Sequence, residues 1–216
     1  MLQELIISAN RSPSRADDPT ADAADSTFRK VAPSILDRDD YTCQFCGFRE
    51  TKMQEVHHSN GDHRINTPDN LVTACILCHL VHHIGFVGQK NMGRLIYFPE
   101  LNQAELNCLV RTQWISTYSD DTNIRRNALS FIELMNTSTN RVASALGSND
   151  PSDLAGILSY MSPKEYSRRN EILSGLRLFF HMTPFDKHIG IWLNGAYKQT
   201  PASTWVDIAE NYVTIG

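Results

Sequence analysis

The sequence predicts an α+β fold, in which a small strand–strand–helix core is followed by a mostly α-helical region. Three observations carry this reading. Cys43-Gln-Phe-Cys46 and Cys75-Ile-Leu-Cys78 form two Cys-x-x-Cys knuckles with 28 residues between them. Around the second knuckle the pattern runs strand, turn, strand and helix. Beyond residue 101, apolar residues return every three or four positions, which is the helical period.

In chain order, residues 2–9 (LQELIISA) predict a first strand. Residues 10–27, NRSPSRADDPTADAADST, have no apolar period and predict a mobile loop, so 1–27 forms an N-terminal strand and loop. A short helix is expected from Phe28 to Asp37, disturbed or ended early by Pro33. A strand then ends near Val56, NGDH supplies turn chemistry, and Asn70 to Ala74 makes the returning strand. A helix begins around Cys78. GRLIYFPELNQAEL predicts a strand closed by Pro99 and then a helix capped by Asn102, with Glu105 three residues on.

The domain bounded by 28 and 100 therefore holds the knuckles, and 101–216 is a helical region packed on it. Its stripes are Leu106, Val110, Trp114 and Tyr118; Ile124, Ala128, Phe131 and Met135; Leu154, Ile157, Leu158 and Met161; and Ile172, Leu176 and Phe179. All are read as core-facing. GSNDPSD at 147–153 marks a turn or helix boundary. Cys108, inside the first stripe, reads as a core residue.

With 216 residues, 41% of them hydrophobic, the chain can bury a sizeable core. Its net charge of −4 does not suit a free-standing nucleic-acid binder, whose affinity comes largely from neutralising phosphates. From 29 to 94 there are 8 Lys and Arg against 7 Asp and Glu, so the knuckle region is nearly neutral too. No apolar run approaches the roughly 20 residues that span a bilayer. The start, MLQELIISANR, lacks the basic leader of a signal peptide. The expectation is a cytoplasmic protein without direct membrane insertion.

In a reducing compartment, paired knuckles mean metal rather than disulfides. Cys43, Cys46, Cys75 and Cys78 supply four thiolates, which is the donor set of a closed, structural, tetrahedral Zn²⁺ site. Gly47 allows the backbone to turn sharply after the first knuckle. Six of the eight histidines also fall in this region. A helix there puts His79 and His83 at i and i+4 on one face, able to converge with the strand-end pair His57-His58 on a second ion. His63 and His82 are expected to face solvent, although His82 replaces His83 if the helix begins later.

This order of residues resembles the HNH (ββα-metal) nuclease family. The matching positions are Glu55-Val56-His57-His58, Asn70, and Cys78-His79 with His83. The resemblance implies that His57, His79 and His83 hold a second divalent metal. His58 would be the general base that activates water, and Asn70 would orient it. RDDYTCQFCGF, NLVTAC-x-x-C and LIYFPELNQAELN further resemble the IcmJ (DotN) family of Dot/Icm, or type IVB, bacterial secretion systems, over about residues 28 to 115. That resemblance implies a cytoplasmic subunit of the coupling complex, recruited to the inner membrane. It would bind the C-terminal tail of the coupling ATPase, and adaptor proteins with it, through its helical region and the strand around Leu95 to Phe98. In the family pattern the knuckles stand while the nuclease histidines are largely replaced; this chain keeps them. Three readings follow: a secretion scaffold, a metal-dependent HNH endonuclease cleaving DNA with His58 and Asn70, or a zinc-dependent nucleic-acid-binding module without catalysis. The weakly charged surroundings favour the scaffold.

Overall fold

The computed structural model describes residues 2–9 and 21–213 and shows an α+β chain. Helix α1 (Ala21–Arg38) leads to β1 (Glu55–His58) and β2 (Leu71–Ala74), an antiparallel ribbon with His57 opposite Val72 and His58 opposite Leu71. Two short helices follow, α2 (Ile76–Val81) and α3 (Ile84–Gln89), and then strand β3 (Gly93–Tyr97). The remainder is α4 (Gln103–Ser116), α5 (Thr122–Leu146), α6 (Pro151–Tyr160), α7 (Pro163–Ser167), α8 (Arg169–Ile172), strand β4 (Leu176–Phe180), α9 (Asp186–Asn194) and α10 (Trp205–Val213). β4 pairs antiparallel with β3, from Gly93 opposite Phe180 to Tyr97 opposite Leu176.

The local reasons are visible in the sequence. Asn102 and Glu105 close a reciprocal capping box at the start of α4, satisfying two otherwise orphaned amides. In the 147–153 stretch Gly147 ends α5 with φ 79°, Asp150 caps α6 and Pro151 opens it. At Gly88, on α3, a Cβ would collide with Asp150 and Ser152, so a bare backbone at this position lets the start of α6 sit directly on α3.

One hydrophobic core runs from the knuckles (Cys43, Phe45, Cys75, Leu77) through Leu95, Ile96, Leu106 and Trp114 to Phe179, Phe185 and Trp192, without interruption near residue 100. A smaller cluster of Ile35, Val56 and Leu71 seats α1 on the first ribbon. Arg38 donates to the carbonyls of Pro68 and Leu71, while the Asp39 carboxylate accepts from the Thr73 amide at 2.9 Å. These bonds occupy backbone groups that an edge strand would otherwise offer to another chain.

Several expectations are corrected. Residues 2–9 lie in no strand; their backbone bonds to Gln44, Val81 and Ile84 in single contacts, with Leu5, Ile7, Ser8 and Ala9 buried. Of the predicted loop at 10–27, residues 10–20 lie outside the described residues, and the rest is the first part of α1. Pro33 neither ends α1 nor disturbs its span, because Pro33 and Arg29, whose carbonyl loses its partner, are both solvent-exposed. The stripe Ile172, Leu176, Phe179 is not a helix: Ile172 ends α8 and the other two belong to β4. Tyr118 lies beyond the end of α4 and is exposed, as is Ile157 on α6. Leu95 and Ile96, expected to meet a partner, are buried, and Tyr97 is the outward residue of β3.

Candidate functional site

The first knuckle sits in a tight hairpin bracketed by the Thr42–Arg49 bridge. The Cys43 amide donates to Phe48 O, and the Gly47 amide donates to Cys43 O at φ +73°, a left-handed conformation that glycine adopts without strain. The second knuckle uses a different device. Cys75 is extended at the N-cap of α2, and Cys78 follows on the first helical turn. Hairpin and helix start thus aim four sulfurs at one point.

The four Sγ atoms lie within 4.8 Å of one another, and Cys46 Sγ is 3.7 Å from Cys75 Sγ. A tetrahedron of sulfurs about 2.3 Å from zinc has edges of roughly 3.8 Å, so the donor set and spacing fit the ion. Cys43, Cys75 and Cys78 are buried, and Cys46 is half-buried. Hydrogen bonding to Cys43 and Cys46, reinforced by burial, holds the Cys75 and Cys78 thiols well above their ordinary range. Four thiolates can coexist here only with a cation among them.

The histidines form a second group. His57, His79 and His83 place ring nitrogens within 4.8 Å of one another, with 3.2 Å between the Nε2 atoms of His79 and His83. Glu55 Oε2 holds His79 Nδ1 at 2.5 Å, leaving Nε2 turned to the group, a carboxylate–imidazole arrangement suited to a metal ligand. Burial, with neighbouring imidazoles adding to it, drives His57 far down and brings His83 to about 4, so these rings are neutral at pH 7 and can donate lone pairs.

The i,i+4 geometry does not come from one helix. α2 ends at Val81, His82 is its C-cap, and His83 is the N-cap of α3. The expectation that His82 faces solvent is corrected: its ring stacks on His57 with centroids 4.1 Å apart, and burial lowers it to about 3. His63, also expected to face solvent, is half-buried, 4.7 Å from His58. Because side chains alternate along β1, His58 lies on the opposite face from His57. It is 3% exposed, stacks on Phe28 and bonds to Asn66 Oδ1 at 2.8 Å. Asn70 does not bond the His58 ring. Its amide donates to Ile65 O and accepts from the Asn60 amide, which orders the 59–66 loop, and its carbonyl accepts from Ser59 N.

A cavity of about 450 Å³ adjoins His57, His82 and His83. Its other wall is the N-terminal segment from Gln3 to Ala9, together with Tyr166 and Arg169. Arg169 spends its N–H groups on Ile7 O, Ser8 Oγ and Tyr166 O.

Sequence reasoning gave no role to Asn66 or to the polar row Gln103, Asn107, Arg111 on α4, and named His82 only as a replacement for His83. The row carried a signal: three polar residues at four-residue spacing beside an apolar stripe. All three are buried.

No protein-family model matches the chain. It is 31% identical over 180 residues to the type 4 apparatus protein DotN of Legionella pneumophila, covering 81% of this chain and 83% of that one. The chain belongs to the DotN family. Both knuckles, the histidine group and α4 thus belong to a DotN-family chain. Among the described residues no helix is long and apolar enough to cross a membrane.

Proposed function

We propose that the chain is a zinc-stabilised scaffold subunit of a type IVB secretion coupling complex, which binds the tail of the coupling ATPase and helps recruit effectors. The observation that carries this reading is membership of the DotN family across four-fifths of the chain. On this reading Cys43, Cys46, Cys75 and Cys78 hold structural Zn²⁺, and β1, β2 and α2 make an HNH-like frame. The protein works on the cytoplasmic face of the inner membrane, held there by its partners.

With Leu95 and Ile96 inside, the apolar residues left for a partner are those such as Leu129 and Leu134 on α5 and Ile157 and Tyr160 on α6. A tail with an amphipathic helix suits such a face. The test is co-purification of the chain with the tail of its cognate coupling ATPase. A complex is expected, weakened at least tenfold by Leu134→Glu, since removing one buried apolar anchor costs roughly 1.5–3 kcal/mol. Absence of any complex with ATPase or adaptor would overturn the scaffold reading.

A second reading, the HNH endonuclease, is favoured by one observation, the convergence of His57, His79 and His83. There His58 would be the base, Asn70 its orienting residue and a second divalent ion the electrophile. Two features weigh against it. His58 packs on α1 rather than lining the cavity beside the other imidazoles, and among the described residues the arginine lining that cavity, Arg169, is committed to backbone and Ser8. Plasmid nicking with Mg²⁺, Mn²⁺, Ni²⁺ or Zn²⁺ is the check, and no cleavage is expected. Metal-dependent nicking that falls ~10²–10⁴-fold in a folded His58→Ala variant would establish the enzyme instead.

A further inference from the structure

Two polar side chains of α4 point into the protein beside the four sulfurs. Asn107 is fully buried; its Nδ2 donates to Cys78 Sγ at 3.5 Å, and its Oδ1 accepts from Gln103 Nε2 at 2.9 Å. One turn on, Arg111 is 4% exposed. Its Nη1 lies 3.8 Å from Cys46 Sγ, its Nη2 3.5 Å from Cys108 Sγ, and its Nε donates to Tyr197 Oη at 3.1 Å. The guanidinium carbon sits 3.9 Å above the Phe48 ring. None of these partners is a carboxylate, and an arginine cannot shed its proton to lower the cost of burial.

We propose that Asn107 and Arg111 form the outer shell of the four-cysteine site, with Arg111 as its counter-cation. This inference rests on the zinc reading. Four thiolates around a divalent ion leave two negative charges in the core. A guanidinium against Cys46 offsets one of them, and the Asn107 amide disperses charge on Cys78, one donor for each knuckle. Arg111 thereby gains the anionic partner that its other contacts lack. Both positions are positioning residues, because they act on the ion through the sulfurs. Cys108 has its place in the same network, as a neutral thiol between Arg111 and the Cys46 carbonyl, 3.6 Å away.

The experiment loads the full-length chain with Co²⁺ in place of Zn²⁺ and compares Arg111→Lys, Arg111→Met, Asn107→Asp and Tyr197→Phe with the parent. Outer-shell losses at metal sites cost about 10–100-fold in affinity. Arg111→Met and Asn107→Asp should therefore release metal to a competing chelator about 10–100-fold faster. Their sulfur-to-cobalt charge-transfer band should move to lower energy, since uncompensated thiolates are better electron donors. Arg111→Lys restores the charge and should fall between. Tyr197→Phe removes a partner of Arg111 but no sulfur contact, and should match the parent. A folded Arg111→Met chain with parental release rate and band overturns the inference. If that variant is insoluble, Asn107→Asp decides on the same two readouts. A parent chain that binds neither Zn²⁺ nor Co²⁺ overturns the metal reading itself, and this inference falls with it.

Discussion

Cys78→Ser is expected to yield insoluble or unfolded protein, and so is Cys43→Ser. Both side chains are fully buried at the middle of the main core, where the hairpin of 42–49 and the start of α2 meet α4. A structural zinc contributes on the order of 10 kcal/mol to folding, while a whole domain is stable by only about 5–15 kcal/mol. Removing one ligand therefore removes most of the margin. It also leaves three sulfurs whose charges no ion offsets, beside a buried arginine. Purified parent protein should carry close to one equivalent of zinc per chain. A Cys43→Ser/Cys78→Ser double variant that stays soluble, holds no metal and still unfolds cooperatively would refute the structural role of the site.

Trp114→Ala should cost about 3–5 kcal/mol, the range for deleting a large aromatic from a packed core. Trp114 is fully buried on α4 and stacks on Phe185, just before α9, with centroids 5.2 Å apart and planes at 27°. Its loss opens a void between the helix that faces the knuckles and the C-terminal part of the chain. Trp114→Phe should cost far less, for a reason specific to this site. Among the described residues the indole Nε1–H is buried without a hydrogen-bond partner, so the substitution removes an unsatisfied donor along with part of the ring. Denaturant titrations of the two variants, followed by circular dichroism, separate these effects. Equal losses would mean that the nitrogen, not the ring volume, dominates.

What the sequence disclosed, and what it withheld, follows from how local each constraint is. The knuckles were legible because a tetrahedral ion demands particular atoms at short spacing, and Gly47 marks the turn. The α4 start was legible from Asn102 and Glu105, which satisfy each other within one turn. The convergence of His57, His79 and His83 was legible from types and spacing, although the chain reaches it through a helix break at His82 that no periodicity foretold. Extending the helical period through that break is what sent His82 outward in prediction, whereas the reversed backbone stacks it on His57.

The strand β4 was missed for another reason. LRLFF is apolar on both sides because Leu178, Phe179 and Phe180 are all buried, so no alternation distinguished it from a helix face. The buried row Gln103, Asn107, Arg111 drew no reading from the sequence. Only three-dimensional proximity reveals that Asn107 and Arg111 abut sulfurs, and that Gln103 brackets the backbone of Leu178, accepting from its amide and donating to its carbonyl.

The pairing of β3 with β4 also sets an order of events during synthesis. The two strands are separated by roughly eighty residues of chain, so the ribbon closes only after residue 180 has left the ribosome. The knuckles and the first ribbon, by contrast, are complete within the first half. Until residue 180 emerges, Leu95 and Ile96 have no strand to pair with, and the nascent chain carries an apolar edge that invites association with other chains. Gathering of the four cysteines can precede that closure, and a metal held by them would give the growing chain an ordered nucleus while its second ribbon waits for its partner.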